Sequence, residues 1–231
     1  MFVEDVPEGR IRSAFVQDVP FDEAVLELNE NGYRVISAKE NLALLIQEGV
    51  RSHLLDTDER IGSNRTREGY ILFPLDQTQV ALVKDSPALA KAEDYAQTHI
   101  HNDADVIAGR EFYLSSRELE KVMSQALILP HTPQEAYKVP VQRFNEDKLT
   151  RFLFEEQAGP GGDFLKEAEF DRLEFFYSVR SSCFHGERKP FLKQLWFSVV
   201  KHKRRDFKTL YLRGWPAFGS AFTRVRGIKT N

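Results

Sequence analysis

Apolar and polar positions in the first third of the chain alternate between two periods. In "FDEAVLELNENG" the apolar residues fall at helical spacing, and the run stops at Asn31-Gly32, so the pattern predicts a helix ending there. "YRVIS" has strand chemistry, and Ser37 to Glu40, "SAKE", forms a capping box that opens a second helix, "NLALLIQEG". "HLLDTDERIGSNRTREG" has no clear period and reads as a loop. "YILFPLDQTQVALVKDSP" places two apolar runs around Asp76-Gln77-Thr78 and predicts a β-hairpin.

Beyond the hairpin, "ALAKAEDYAQTHIHNDADVIAG" begins helical and ends in a loop near Gly109, "REFYL" is a short strand, and "SSRELEKVMSQALIL" opens on another capping box and runs as helix to Pro130. Prolines mark "HTPQEAYKVPVQ" as a connector. "NEDKLTRFLFEEQ" and a long helical pattern from Phe164 to about His185 flank "AGPGGD", a flexible turn. Pro190 suits the first turn of a further helix, "PFLKQLWFSVVKHK", with Phe191, Leu195, Trp196 and Val199 along one side. The predicted class is α+β: a small α+β unit with a β-hairpin over 1–110, and a mostly α-helical bundle over 111–231. Two short helices before a hairpin also fit a winged helix in the N-terminal half.

Composition sharpens this picture in two respects. The chain has 231 residues, 42% hydrophobic and 29% charged, enough for a real core and unlike a disordered chain. A single cysteine, Cys183, excludes an internal disulfide framework and a cysteine-based zinc site. Acidic residues in "MFVEDVPEGR" and the lack of a membrane-length apolar run lead to an expected cytoplasmic location with no membrane partner.

Charge is unevenly divided. From Arg188 to Asn231 twelve Lys and Arg stand against one acid, Asp206, whereas the other 187 residues hold 20 basic and 34 acidic residues. Such a tail implies a surface for a polyanion, or an arm lying on the protein's own acidic face. In "KHKRRDFKTLYLRGWPAFGSAFTRVRGIK" the basic residues Lys201, Lys203, Arg204, Arg205, Arg213, Arg224 and Arg226 alternate with aromatics. These are the expected nucleic-acid-binding residues, the cations for phosphates and the rings for unpaired bases.

One stretch carries candidate chemistry. "YSVRSSCFHGERKP" sets Arg180 five residues before His185, with Gly186 following. Histidine near neutral pKa can move a proton from a 2′-hydroxyl or to a leaving 5′-oxygen, and a guanidinium can hold the phosphate without a metal. The simpler reading is a last-turn histidine and a C-cap glycine. The motif resembles the R-x4-6-H signature of HEPN domains, small helical bundles that bind nucleotides or RNA. That resemblance implies a homodimer with facing motifs, Arg180 on phosphate and His185 as the proton-transfer residue of metal-independent cleavage. Ser181 stands where members usually carry another polar residue such as asparagine, which leaves a binding-only member equally open. The resemblance extends at most over residues 111 to 203.

Other clusters carry less. His99, His101, Asp103 and Asp105 are metal-ligand types, but they sit in a predicted loop with no further ligand spacing, so no metal or cofactor is expected. Cys183 reads as a packed helical cysteine. The expectation is an RNA-binding protein with an Arg/His pair capable of cleavage. Its alternatives are a non-enzymatic nucleic-acid-binding or regulatory protein and an interaction module with a basic tail.

Overall fold

The computed structural model describes residues 2–5, 12–17, 19, 21–49, 64–73, 78–87, 89, 112–130, 135–176, 190–201, 208–213 and 224–229. Twelve strands among them join one mixed sheet. In chain order they are β1 (Phe2–Asp5), β2 (Ser13–Val16), β3 (Tyr33–Val35), β4 (Asn64–Leu72), β5 (Gln79–Val83), β6 (Phe112–Tyr113), β7 (Leu127–Pro130), β8 (Tyr137–Pro140), β9 (Phe170–Phe176), β10 (Phe191–Lys201), β11 (Lys208–Arg213) and β12 (Arg224–Lys229). The helices are α1 (Phe21–Glu30), α2 (Ala38–Glu48), α3 (Ser116–Met123), α4 (Lys148–Phe154) and α5 (Ala158–Glu167).

The main path through the sheet is β1-β2-β12-β4-β10-β11-β9-β8, with β3, β5, β6 and β7 attached to its flanks. Strands from both sides of residue 110 therefore alternate in one hydrogen-bonded array: β12 pairs with β2, β3 and β4, and β10 pairs with β4. The sheet crosses the position where the sequence suggests a domain boundary. Helices cover both faces. On one face α2, α4 and α5 pack through Leu42, Leu45, Leu153, Phe154 and Leu165 onto Tyr70, Leu82, Leu173, Phe197 and Leu212. On the other, α1 packs through Val25 and Leu28 against Val16, Val35 and Val225, and α3 adds Leu119 and Val122.

α1, α2 and the hairpin match their sequence pattern, whereas residues 64–69, expected as loop, form the first part of β4. α1 ends at Asn31 and Gly32, where Gly32 has φ +75°, and α2 starts with the Ser37/Glu40 capping box in place. β4 and β5 form the hairpin, with Tyr70 opposite Leu82 and Leu72 opposite Val80. A second capping box, Ser115 with Glu118, starts α3, but the helix stops at Met123 and "LILP" becomes β7.

The C-terminal half is not a helical bundle. "PFLKQLWFSVVKHK" contributes the eleven-residue strand β10, and residues 170–176 of the expected long helix form β9. Leu195, Phe197 and Val199 are buried on one face of β10 while Leu192 and Trp196 are buried on the other. A strand buried on both faces has near-continuous apolar sequence, which fits a helical stripe as readily as a strand. "AGPGGD" is the start of α5, not a turn. Its glycines permit close packing: a Cβ on Gly161 would lie 2.5 Å from Leu42 Cδ2, and one on Gly162 would lie 3.3 Å from Phe144 Cβ.

Gly227 of β12 lies where α1 approaches the sheet closely. A Cβ there would stand 2.6 Å from Leu28 Cδ2, 3.1 Å from Tyr33 Cβ and 3.2 Å from the Arg34 carbonyl. Gly227→Val is expected to cost about 2 kcal/mol through overpacking, read from the midpoint shift of urea unfolding. An unchanged midpoint would show that α1 is not seated on β12.

Candidate nucleic-acid interface

Cross-strand register sorts the β10-β11-β9-β8 region into two unlike faces, because directly opposed residues share a face. One set of rows is apolar: Phe197–Leu212–Phe175–Tyr137 and Val199–Leu210–Leu173–Val139. These rows lie under α2, α4 and α5. The alternate rows read Trp196–Arg213–Phe176, Ser198–Tyr211–Glu174–Lys138 and Val200–Thr209–Arg172–Pro140, with Arg65 of β4 opposite Trp196. One face is hydrophobic and the other is rich in basic, aromatic and hydroxyl residues.

Exposure along the polar face is graded. Arg65 is fully buried, with its guanidinium carbon 4.6 Å from the centroid of the Trp196 ring, a cation–π contact. Ser198, Thr209 and Glu174 are buried, Tyr211 and Arg172 are half-buried, and Lys138 and Pro140 at the edge strand are exposed. Arg172 donates through Nε to Glu174 at 2.5 Å and also pairs with Asp171, while Thr209 Oγ1 donates to Asp171 at 3.0 Å. Arg172 is thus paired with two acids of its own strand. Lys201 and Lys208 are opposed across β10 and β11 in the row that continues the apolar face, and Lys208 Nζ donates to the Ala168 carbonyl at 3.0 Å.

The basic residues expected from the sequence separate into two groups. Arg224 and Arg226 point into the protein, not toward a polyanion. Arg226 is fully buried: its Nη2 reaches Glu48 Oε1 at 2.5 Å and Ser13 Oγ at 3.2 Å, and its guanidinium carbon lies 4.9 Å from the Phe15 ring centroid. Arg224 is 6% exposed, 4.1 Å from the same ring. Part of the basic tail thus docks on the protein's own acid. Arg213 occupies β11 opposite Trp196, and Lys201 ends β10. Lys203, Arg204, Arg205, Arg180, Ser181 and His185 lie outside the described residues, as do His99, His101, Asp103, Asp105 and Cys183.

The sequence reading includes Tyr211 among the tail's aromatics but not Arg65, Arg172 or Lys138. Period-two alternation of β8 and β9 could have found Arg172 and Lys138, but those stretches read as a helix and a connector, and Arg65 of β4 falls in a stretch that reads as a loop. Among the described residues no group of three or more His, Cys, Asp or Glu could hold a metal ion, and no helix is long and apolar enough to cross a membrane. No protein-family model, curated protein or solved structure matches the chain.

A second charged cluster lies where the helical layer meets the sheet. Glu155 follows α4 with φ +51°, a backbone region that favours glycine, and its carboxylate accepts from Lys39 of α2 at 2.8 Å and from Lys84 beyond β5. Hydrogen bonds from Lys39 and then Lys84 depress its pKa from 4.5 to about 2. This is a clasp between three elements, with both lysines neutralised.

Two outcomes follow. Removing one partner of a buried pair leaves an uncompensated charge, so Glu48→Ala should cost about 3 kcal/mol in denaturant titration. A loss below about 0.5 kcal/mol would mean that Glu48 does not hold the β12 arginine. The depressed pKa of Glu155 makes its contribution present above pH 4.5 and lost as pH falls toward 2. Glu155→Gln should therefore flatten part of the acid loss of stability, modestly because the group is partly exposed. An acid limb identical to wild type would contradict the clasp.

Proposed function

We propose that the chain is an RNA-binding protein whose contact region is the polar face and basic end of the β8–β11 sheet. The observation that carries this reading is the two-faced register: apolar rows lie under helices, and the alternate rows carry Trp196, Tyr211, Arg172 and Lys138. The exposed Lys138 can neutralise a phosphate at such a face, while a half-buried tyrosine offers a stacking surface to an unpaired base. The charge division along the chain supports the same ligand class, reduced by the two arginines that are turned inward.

The helical frame in which Arg180 and His185 would act as a HEPN-like pair is absent from residues 170–176 and 191–201, which are strands. Binding, not cleavage, is therefore the proposed activity. Cleavage by Arg180 and His185 is retained as a second readout of the same assay.

Anisotropy of a labelled single-stranded RNA in EDTA, followed through a salt series, tests this reading. Wild type should bind with affinity that falls steeply as salt rises. Replacing Lys201, Lys203, Arg204 and Arg205 together by Ser should weaken binding and lower the log–log salt slope by about 3, at roughly 0.7 per lost phosphate contact. No binding at low salt, or an unchanged slope in the fourfold variant, would overturn the proposal. RNA recovered intact fits binding alone; shortening that disappears in His185→Ala and Arg180→Ala would add the metal-independent cleavage step.

A further inference from the structure

We propose that Glu68 is a proton-operated latch between the first turn of α2 and the sheet. β4 carries a bulge beside β10: Gln194 opposes Gly69 and Trp196 opposes Arg65, so Thr66, Arg67 and Glu68 face the single residue Leu195. The extra residues make this short segment a junction. Gln194 Nε2 donates to the carbonyls of Thr66 and Glu68, the latter at 2.9 Å. The Arg67 N–H donates to the Ile36 carbonyl at 3.0 Å, and the Ser86 N–H donates to the Arg67 carbonyl at 2.9 Å. β10, the β3–α2 connection and the segment after β5 all converge there.

The Glu68 side chain completes the junction. The residue is 3% exposed, and both carboxylate oxygens accept from the Ala38 N–H, at 2.9 and 3.0 Å. Ala38 is the first residue of α2, where orphan N–H groups and the helix dipole favour a negative charge. The Ser37/Glu40 capping box already serves the same turn from within the helix, so Glu68 adds a tie from the sheet.

Burial opposes that charge and wins: the Glu68 pKa is pushed up from 4.5 to about 7, against the Thr66 hydroxyl, the Ala38 hydrogen bond and the Arg67 charge. The other charges on the surrounding elements have partners of their own. Arg67 pairs with Asp85 at 2.6 Å, Glu40 of α2 with Arg34 of β3, and Lys39 of α2 and Lys84 after β5 with Glu155. Arg65, further along β4, stacks on Trp196. Ionised Glu68 presents two acceptors to Ala38. Protonated Glu68 gives one oxygen an O–H, so the grip on α2 changes with proton occupancy near neutral pH.

The sign of the stability effect follows. Between pH 4.5 and 7 the folded protein retains a proton that the unfolded chain has lost, so this group makes stability fall as pH rises through that window, with no further change above it. Relative to Glu68→Gln, whose neutral amide oxygen still accepts from Ala38, the wild-type folding constant should drop by about two orders of magnitude from pH 4 to pH 8.

A carbon-13 titration of the glutamate carboxyls in the full chain, wild type beside Glu68→Gln, is the direct test. One carboxyl should titrate near pH 7, with the Ala38 amide resonance following the same midpoint. In Glu68→Gln that carboxyl signal should be missing. The latch is overturned if every glutamate titrates below pH 5.5, if the neutral titration persists in Glu68→Gln, or if the Ala38 amide does not move with it.

Discussion

Period-two segregation along β10 is the constraint on which the rest of the structure depends. β10 touches β4 and β6 at its start and β11 at its end, so its two faces set the environment of both halves of the chain. Leu195, Phe197 and Val199 commit one face to the helical layer of α2, α4 and α5. Trp196 and Ser198 follow on the opposite face because a strand has no other choice. A one-residue slip would exchange these sets and place the serine and tryptophan under the helices, so the register is strongly specified.

The helical layer is fastened to that face by few polar contacts. The Glu155 clasp ties α4 to α2 and the end of β5, the β4 bulge ties the start of α2, and the Arg226–Glu48 pair ties its end to β12. α2 is thus held at both termini by residues distant in sequence, while Leu42 accepts the glycine face of α5 between them. The polar side of the β8–β11 region is left to carry Arg172, Tyr211 and Lys138. The basic tail serves two ends: Arg224 and Arg226 build the interior around Phe15, and Lys201 and Lys208 stand opposite each other at the end of the β10–β11 pair.

What the sequence made legible was local. Ser37 with Glu40, Ser115 with Glu118, and the Asn31-Gly32 stop act within a few residues, and each marks its helix boundary correctly. The β4–β5 hairpin is legible for the same reason. β10 was misread because Phe191, Leu195, Trp196 and Val199 satisfy a helical stripe, and only the sheet partners Ile71, Leu210 and Leu212 reveal that both faces are buried. The glycines of α5 argued against a helix on propensity, whereas contact with Leu42 and Phe144 favours them there. The inward turn of Arg226 depends on Glu48, 178 positions away, and the role of Glu68 depends on Ala38, 30 positions away. No spacing rule reaches that far.

Ultraviolet crosslinking of a single-stranded RNA to the intact protein, with the attached peptides identified by mass spectrometry, tests the two-faced sheet most directly. Crosslinks should fall on β8, β9 and β11, around Lys138, Arg172 and Tyr211, and on the segment between Lys201 and Lys208. Crosslinks confined to α2, α4 and α5, or an absence of crosslinks at low salt, would contradict the account.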